Sequence, residues 1–195
     1  MVKLQLILEY MPGGDCKRAL LERGMFSRYN VKRFVMQMAS ALAYVHRHMI
    51  AHRDTKLENI LCDTTTDGLM LFKIGDFGFS HYAQALHGCT TVVGTPEYMA
   101  PEVLKGSGLN GAYGYQSDVW SLGICAYMLI TGECPYNTDC LNTQIVHGLI
   151  VWHSDPLLVL AQPFLKLLLC LRPEERATSS ALCEVDLSRI RAFME

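Results

Sequence analysis

Residues 49–61, MIAHRDTKLENIL, carry a dense set of polar side chains between two apolar flanks. Within eight positions, 52–59, the stretch holds a histidine, an arginine, an aspartate, a lysine, a glutamate and an asparagine. An aspartate within hydrogen-bond reach of a hydroxyl group can orient that group and accept its proton. An asparagine five residues later can turn its amide oxygen towards a metal ion. The pattern indicates an active-site loop, and only 48 residues of this chain precede it.

Length and composition predict one globular domain, or one large lobe of a larger unit. The chain has 195 residues, of which 50% are hydrophobic and 18% charged, so it can bury a sizeable core. The net charge is −2 and the sequence has no basic tail, so we expect neither a nucleic acid nor an anionic membrane as a partner. Eight scattered cysteines without a CxxC pair favour reduced thiols in a cytosolic protein over a zinc site or disulfides.

The first 48 residues are predicted to form one strand and two helices. The apolar run VKLQLIL, residues 2–8, has the composition of a strand. A first helix is predicted over 15–23, because Asp15 is a carboxylate suited to the unpaired N–H groups at a helix start and Gly24 can end the helix. A second, amphipathic helix is predicted from Ser27 to about His46, because apolar residues recur there at helical spacing.

The remaining chain is predicted to be mainly helical, with two short strands at its beginning. Strands near 59–62 and 69–74 are joined by the turn residues TTTDG. The segment 75–99 has no regular pattern, and a loop of that length is often functional. The apolar run 119–132 has 14 residues, too few to span a bilayer, and indicates a buried core helix. Loops are expected near 132–142 and at Pro156, Pro163 and Pro173.

Three further motifs follow the polar loop. KIGDFGFS, residues 73–80, places Asp76 at the end of a predicted strand, where its carboxylate can bind Mg²⁺ while Gly78 lets the backbone turn. GTPEYMAPE, residues 94–102, closes the long irregular segment, and SDVWSLG, residues 117–123, opens the apolar helix.

These motifs resemble those of the eukaryotic protein kinases. HRDxKxxN, DFG and APE occur in that family's order, with 23 residues between Gly78 and Glu102. Lys56 and the GTPEY run are similar to the serine/threonine branch, and KLEN and DFGFS are most similar to its calcium/calmodulin-dependent and AMP-activated group. The resemblance implies a mainly α, kinase-like large lobe with short β-hairpins at a catalytic cleft. Residues 1–14 would be the last small-lobe strand and the hinge, and residues 15–195 the large lobe.

The resemblance also implies roles for five residues around the catalytic loop. Asp54 would orient and deprotonate the substrate hydroxyl, and Lys56 would stabilise charge on the transferred phosphoryl group. Asn59 and Asp76 would hold Mg²⁺ between the phosphates of ATP. Thr95 would brace Asp54 and Lys56 through its hydroxyl group.

The nucleotide site implied by the resemblance lies near the N-terminus. Glu9 and Met11 would be hinge residues whose backbone groups meet the adenine edge. Asp15 would lie near the ribose, and Leu61 would form the apolar floor under the adenine. Taken alone, an aspartate such as Asp15 is more often a solvated surface charge, and it could instead bind a basic residue of the substrate.

The resemblance implies regulatory and structural residues as well. Arg53, next to Asp54, suggests control by phosphorylation of the loop, with Thr91 as the expected site and Thr90 as an alternative. Glu102 and Arg176 would form a buried ion pair, and Asp118 would accept backbone N–H bonds from the catalytic loop. His46 and His48 lie at a predicted helix end, which argues against a metal site there.

The expected function is transfer of the γ-phosphoryl group of Mg·ATP to serine or threonine hydroxyls of a protein substrate. An upstream activating kinase and a cytoplasmic or nuclear location are expected. Since no glycine-rich loop and no V-A-I-K strand precede residue 49, this chain alone is expected to bind ATP weakly and to phosphorylate little. The alternative is a non-catalytic, kinase-like module that binds a protein partner. A small-molecule kinase of related fold is a third hypothesis, which GTPEYMAPE disfavours.

Overall fold

The computed structural model describes residues 5–82, 92–106, 114–187 and 190. Its helices are α1 Cys16–Arg23, α2 Arg28–Arg47, α3 Pro101–Lys105, α4 Gln116–Thr131, α5 Leu141–His147, α6 Pro156–Leu168 and α7 Ser179–Glu184. Its strands are β1 Ile50–Ala51, β2 Ile60–Thr64, β3 Met70–Ile74 and β4 His81–Tyr82. The predicted fold class, mainly α with short hairpins, is confirmed.

Helix α4 forms the centre of the fold. Its sequence is apolar around most of its circumference, and every residue from Ser117 to Ile130 is buried. A helix of this kind is stable only when other elements surround it, and α2 and α6 both pack against it. The prediction of a buried core helix in this region is therefore confirmed.

Helices α1 and α2 begin and end at the predicted residues because their capping groups are present in the sequence. Asp15 caps α1 by accepting the N–H of Arg18 at 2.8 Å, and Ser27 caps α2 by accepting the N–H of Asn30 at 3.3 Å. Gly24 ends α1 with a φ of 79°, a conformation that glycine adopts without strain. The core face of α2 packs against α4, α7 and β3.

Two antiparallel strand pairs position the polar loop. In the pair of β2 and β3, Ile60 lies opposite Ile74, so the residue before β2 and the residues after β3 lie at the same end of the hairpin. Strand β1, just before the loop, pairs with β4, with Ala51 opposite His81. This second pairing was not predicted, because both strands have only two residues and no alternation to identify them.

The predicted strand over residues 2–8 is wrong for the residues that can be assessed. Residues 5–8 have no strand conformation, and the side chains of Leu6, Ile7 and Leu8 are 78–98% exposed. A strand needs a partner for its backbone hydrogen bonds, and nothing among the described residues pairs with this segment. Residues 2–4 lie outside the described part of the chain.

Pro163 also differs from expectation, since it lies inside α6 rather than in a loop. Proline removes one hydrogen bond from the helix, to the carbonyl of Val159. Both Pro163 and Val159 are on the exposed side of the helix, where water can bind that carbonyl. Pro156 occupies the first position of the same helix, where a missing N–H costs nothing.

No described helix is by itself both long and apolar enough to span a bilayer. By length and composition alone, the segments Pro156–Leu168 and Pro173–Glu184 meet the requirement as a pair, and this pair is bent by 113°.

We expect the substitution Gly13→Ala to destabilise the fold. A Cβ atom at Gly13 would lie 2.3 Å from the backbone carbonyl oxygen of Cys62 in β2. Relieving this overlap requires a backbone shift, with an expected loss of about 1–3 kcal/mol in the free energy of unfolding. Urea unfolding would measure the loss. Gly75→Ala is the control, because its Cβ would meet its nearest neighbour at 3.6 Å. Equal midpoints for the two variants would contradict the prediction.

Candidate active site

Asp54 lies at the centre of the polar loop and is 5% exposed. Its Oδ1 accepts hydrogen bonds from the backbone N–H and the hydroxyl of Thr95, both at 3.2 Å. Its Oδ2 accepts a bond from Asn59 Nδ2 at 2.8 Å and lies 2.9 Å from Lys56 Nζ. Four donors from three residues therefore fix the orientation of one carboxylate.

Lys56 and Thr95 complete this arrangement from two distant parts of the chain. Lys56 Nζ donates to Thr95 Oγ1 at 2.8 Å, and this hydroxyl donates in turn to Asp54. Gly94, with a φ of 111°, lets the segment before Thr95 approach closely, since a Cβ there would lie 2.7 Å from the carbonyl oxygen of Arg53. The structure thus brings Asp54, Lys56 and Thr95 together, as the sequence predicts, while their chemical roles stay predictions.

Asn59 and Asp76 lie at the same end of the β2–β3 hairpin. The N–H of Gly75 donates to the carbonyl of Asn59 at 2.8 Å, which places Asp76 one residue from this contact. Asn59 Nδ2 is directed to Asp54, so its amide oxygen is the atom that remains for a cation. The Asp76 carboxylate is exposed, and its Oδ1 accepts the N–H of Gly78 at 3.1 Å.

These two side chains fit Mg²⁺. Magnesium prefers oxygen ligands and is usually bound through one or two protein side chains together with water and substrate phosphates. An amide oxygen and a carboxylate supply that donor set. No group of three or more histidine, cysteine, aspartate or glutamate side chains that could hold a metal ion occurs in the described ranges.

Asp118, at the start of α4, holds the backbone of the loop. Its Oδ2 accepts the N–H of His52 and its Oδ1 the N–H of Arg53, both at 2.8 Å. Arg53 has a φ of 71°, which non-glycine residues rarely adopt. The two bonds therefore stabilise a strained turn directly before Asp54.

Asp118 is the electrostatic anchor of this region and is 1% exposed. Burial alone would raise the pKa of its carboxyl group. Other contributions outweigh burial and lower the pKa of Asp118 below its ordinary value. They are the hydrogen bond from His46, the electrostatic effect of the His46 and His52 imidazoles, and the hydrogen bond from the N–H of Arg53. The carboxylate is therefore ionised and acts as an acceptor at neutral pH.

His46 and His52 belong to this region, although sequence reasoning gave them no role. His46 Nε2 lies 2.8 Å from Asp118 Oδ2, and His52 Nε2 lies 2.9 Å from the carbonyl oxygen of Gly75. The rings of His52 and Phe77 meet edge to face at 4.8 Å. Helical spacing could have predicted that His46 is buried, because it follows Leu42 by four residues and therefore lies on the same buried face of α2.

The four nucleotide-site residues that the sequence predicts lie close to the β2–β3 hairpin. Asp15 and Leu61 are paired as an isolated antiparallel bridge. Met11 is buried, and its carbonyl accepts the N–H of Gly14. Glu9 is exposed and forms an ion pair with Lys73, which lies opposite Leu61 in the hairpin. The four residues thus lie around β2, and their contacts with a nucleotide stay predictions.

Glu102 and Arg176 form the ion pair that the resemblance implied. The two guanidinium nitrogens donate to the two carboxylate oxygens at 2.7 and 3.0 Å. Arg176 also donates to the carbonyls of Gln116 and Cys170, and its guanidinium lies 5.0 Å from the ring centre of Trp120. The pair joins the end of the GTPEYMAPE segment to the core.

The two candidate regulatory residues differ in what the structure shows. Arg53 is half-buried beside Asp54. Thr91 and Thr90 lie outside the described residues, so their proposed phosphorylation stays a prediction.

Comparison with known proteins identifies the family. The profile of the protein kinase domain family matches residues 2–187. The chain belongs to the protein kinase family. This match confirms the resemblance given by the sequence motifs, and it identifies the mainly α architecture as a kinase-like large lobe.

Several curated serine/threonine kinases are similar to this protein kinase chain. Calcium-dependent protein kinase 5 of Plasmodium berghei is 41% identical over 156 residues, or 78% of this chain and 27% of that protein. Serine/threonine-protein kinase ppk11 of Schizosaccharomyces pombe is 39% identical, over 92% of this chain and 57% of that protein. Calcium/calmodulin-dependent protein kinase type IV of Mus musculus is 34% identical, over 91% of this chain and 38% of that protein. The chain therefore spans about a quarter to just over half of these relatives.

Proposed function

We propose that this chain catalyses transfer of the γ-phosphoryl group of ATP to serine or threonine hydroxyls of protein substrates, at a low rate when it acts alone. One observation carries the proposal: the Asp54 carboxylate is held by Thr95, Asn59 and Lys56 beside two oxygen ligands suited to Mg²⁺. Catalysis of this reaction depends mainly on positioning and electrostatic stabilisation. A carboxylate with four donors loses little freedom when a substrate binds.

Asp54 is the proposed general base. The substrate hydroxyl would bond to its carboxylate, which orients the oxygen towards the γ-phosphorus and takes the proton as the new P–O bond forms. Lys56 lies 2.9 Å from the same carboxylate, close enough for its ammonium group to stabilise negative charge on the transferred phosphoryl group. Thr95 keeps both side chains in place through its hydroxyl group.

Asn59 and Asp76 are the proposed Mg²⁺ ligands. When bound, the ion would neutralise charge on the ATP phosphates. The protein fixes the two ligands through the β2–β3 hairpin and the bond between Gly75 and Asn59. Leu61 in β2 would contact the adenine, Asp15 the ribose, and the backbone at Glu9 and Met11 the adenine edge.

The Mg²⁺ assignment predicts the effect of Asp76→Asn. Removing one negative ligand should weaken Mg²⁺-dependent binding of ADP or ATP by about tenfold or more, which is about 1.4 kcal/mol. Isothermal titration of the chain with nucleotide, with and without Mg²⁺, would measure it. Asp67→Asn is the matched control, since it makes the same charge change in an exposed turn. Equal affinities for the two variants would exclude Asp76 as a ligand.

The same protein preparation tests the alternative function, a non-catalytic, kinase-like module that binds a protein partner. Incubation with γ-labelled ATP, Mg²⁺ and a general protein substrate such as casein would detect phosphoserine or phosphothreonine. Transfer that is lost in Asp54→Asn supports the kinase proposal. Absence of transfer by the unmodified chain, together with retained folding, would favour a protein-binding module.

A further inference from the structure

A buried chain of hydrogen bonds connects α7 to the catalytic loop. His46 lies between two partners: its Nε2 is 2.8 Å from Asp118 Oδ2, and its Nδ1 is 2.8 Å from Ser179 Oγ. Ser179, the first residue of α7, is 3% exposed. The same Asp118 oxygen accepts the N–H of His52. Ser179 is thus two side chains away from the backbone that positions Asp54.

The donors and acceptors in this chain have one consistent arrangement for a neutral imidazole. Asp118 is an ionised acceptor, so His46 must present a proton on Nε2. Its Nδ1 is then an acceptor, and the hydroxyl of Ser179 must be the donor. The ring of Tyr115 stacks on His46 at 4.8 Å and fixes the plane of the imidazole.

We propose that Ser179 is a positioning residue for the catalytic loop. By donating to Nδ1, Ser179 reinforces the tautomer of His46 that Asp118 requires, with the proton on Nε2, and holds the imidazole in place. His46 then fixes the Asp118 carboxylate, and Asp118 fixes the N–H groups of His52 and Arg53 directly before Asp54. Only the catalytic consequence of this inference rests on the proposed function, because the tautomer of His46 exists whether or not the chain transfers phosphate.

A cavity beside this chain makes a conservative test possible. His46, Tyr115 and Ser179 line a cavity of about 200 Å³. A methyl group added at Ser179 can therefore be accommodated, so Ser179→Thr should keep the hydroxyl donor. Ser180 lines the same cavity, is exposed, and makes no side-chain hydrogen bond that the structure shows. Ser180→Ala is accordingly a matched control for loss of a serine hydroxyl.

The first test reads the tautomer directly. Long-range ¹H–¹⁵N spectra of the chain, labelled at histidine, distinguish a protonated from an unprotonated Nδ1. We expect His46 to carry its proton on Nε2 in the unmodified chain, in Ser180→Ala and in Ser179→Thr. In Ser179→Ala the Nδ1 signal should shift, and the amide protons of His52 and Arg53 should exchange about fivefold faster, as expected for the loss of one hydrogen bond. Unchanged His46 signals and unchanged exchange in Ser179→Ala would overturn the proposal.

A second variant keeps the test decisive if Ser179→Ala folds poorly. Ser179→Cys keeps the shape of the side chain with a somewhat larger terminal atom, but it offers only a weak S–H donor. It should shift the His46 signals in the same direction as Ser179→Ala by a smaller amount, and spectra identical to those of the unmodified chain would again overturn the proposal.

Catalysis supplies an independent readout. Ser179→Ala should lower kcat about fivefold with little change in the KM for ATP, and Ser179→Thr should restore it. A kcat equal to that of Ser180→Ala would contradict the catalytic consequence. If the unmodified chain transfers no phosphate, the proposed function fails, and the spectra still decide whether Ser179 holds the imidazole of His46.

Discussion

Asp54→Asn is expected to lower kcat for phosphoryl transfer by a factor of about 10²–10⁴. An amide cannot take the proton of the substrate hydroxyl. It would also turn its NH₂ group towards the donors of Asn59 or Lys56, or towards those of Thr95, because donors approach both oxygens of the carboxylate. The initial rate of transfer from γ-labelled ATP to a protein substrate would measure the effect.

Two controls separate chemistry from folding in this experiment. Asp67→Asn removes the same charge in an exposed turn and should leave the rate unchanged. The melting temperature of Asp54→Asn should show whether the mismatch of donors also destabilises the loop. A folded Asp54→Asn variant that keeps kcat within about tenfold of the unmodified chain would rule out the assigned role.

Arg176→Ala is expected to cause the largest loss of stability, about 3–5 kcal/mol in the free energy of unfolding. The substitution leaves Glu102 as an uncompensated charge in a buried position. It also removes the donors to the carbonyls of Gln116 and Cys170 and the contact with the ring of Trp120. Urea unfolding followed by far-ultraviolet circular dichroism would measure the loss.

Arg172→Ala is the matched control for this prediction. Arg172 pairs with Glu175, and both side chains are largely exposed to solvent, with relative areas of 69% and 46%. Pairs of this kind contribute about 0–1 kcal/mol, so the control should unfold almost as the unmodified chain does. Similar losses in the two arginine variants would show that burial of the Glu102–Arg176 pair has little energetic consequence.

The arrangement of Asp54 and Asn59 in the polar loop, residues 49–61, was predictable because the hydrogen bonds between them join residues that are close in sequence. Asp54 and Asn59 are five residues apart, and Asn59 Nδ2 reaches both the backbone and the side chain of Asp54 within that distance. Helices α1 and α2 were predictable for the same reason, since Asp15, Ser27 and Gly24 act within one turn of their own positions.

The N-terminal segment shows that apolar composition alone does not predict a strand. Apolar residues at 2–8 suggested a strand, yet residues 5–8 form no strand. Strand formation depends on backbone hydrogen bonds to a neighbour, which composition does not reveal. Pro163 shows the opposite case, since a residue that usually ends a helix is tolerated where water can bind the freed carbonyl.

The sequence by itself determined the candidate reacting groups: an aspartate, a lysine, an asparagine and a DFG aspartate in fixed order. Only the tertiary structure decided what holds Asp118, the residue that binds the loop backbone. His46 meets Ser179 across 133 positions and Asp118 across 72, and neither contact follows from helical periodicity. Periodicity specifies which face of a helix is buried. It cannot specify the partner on the other side, because that partner is set by the packing of α2, α4 and α7 as rigid elements.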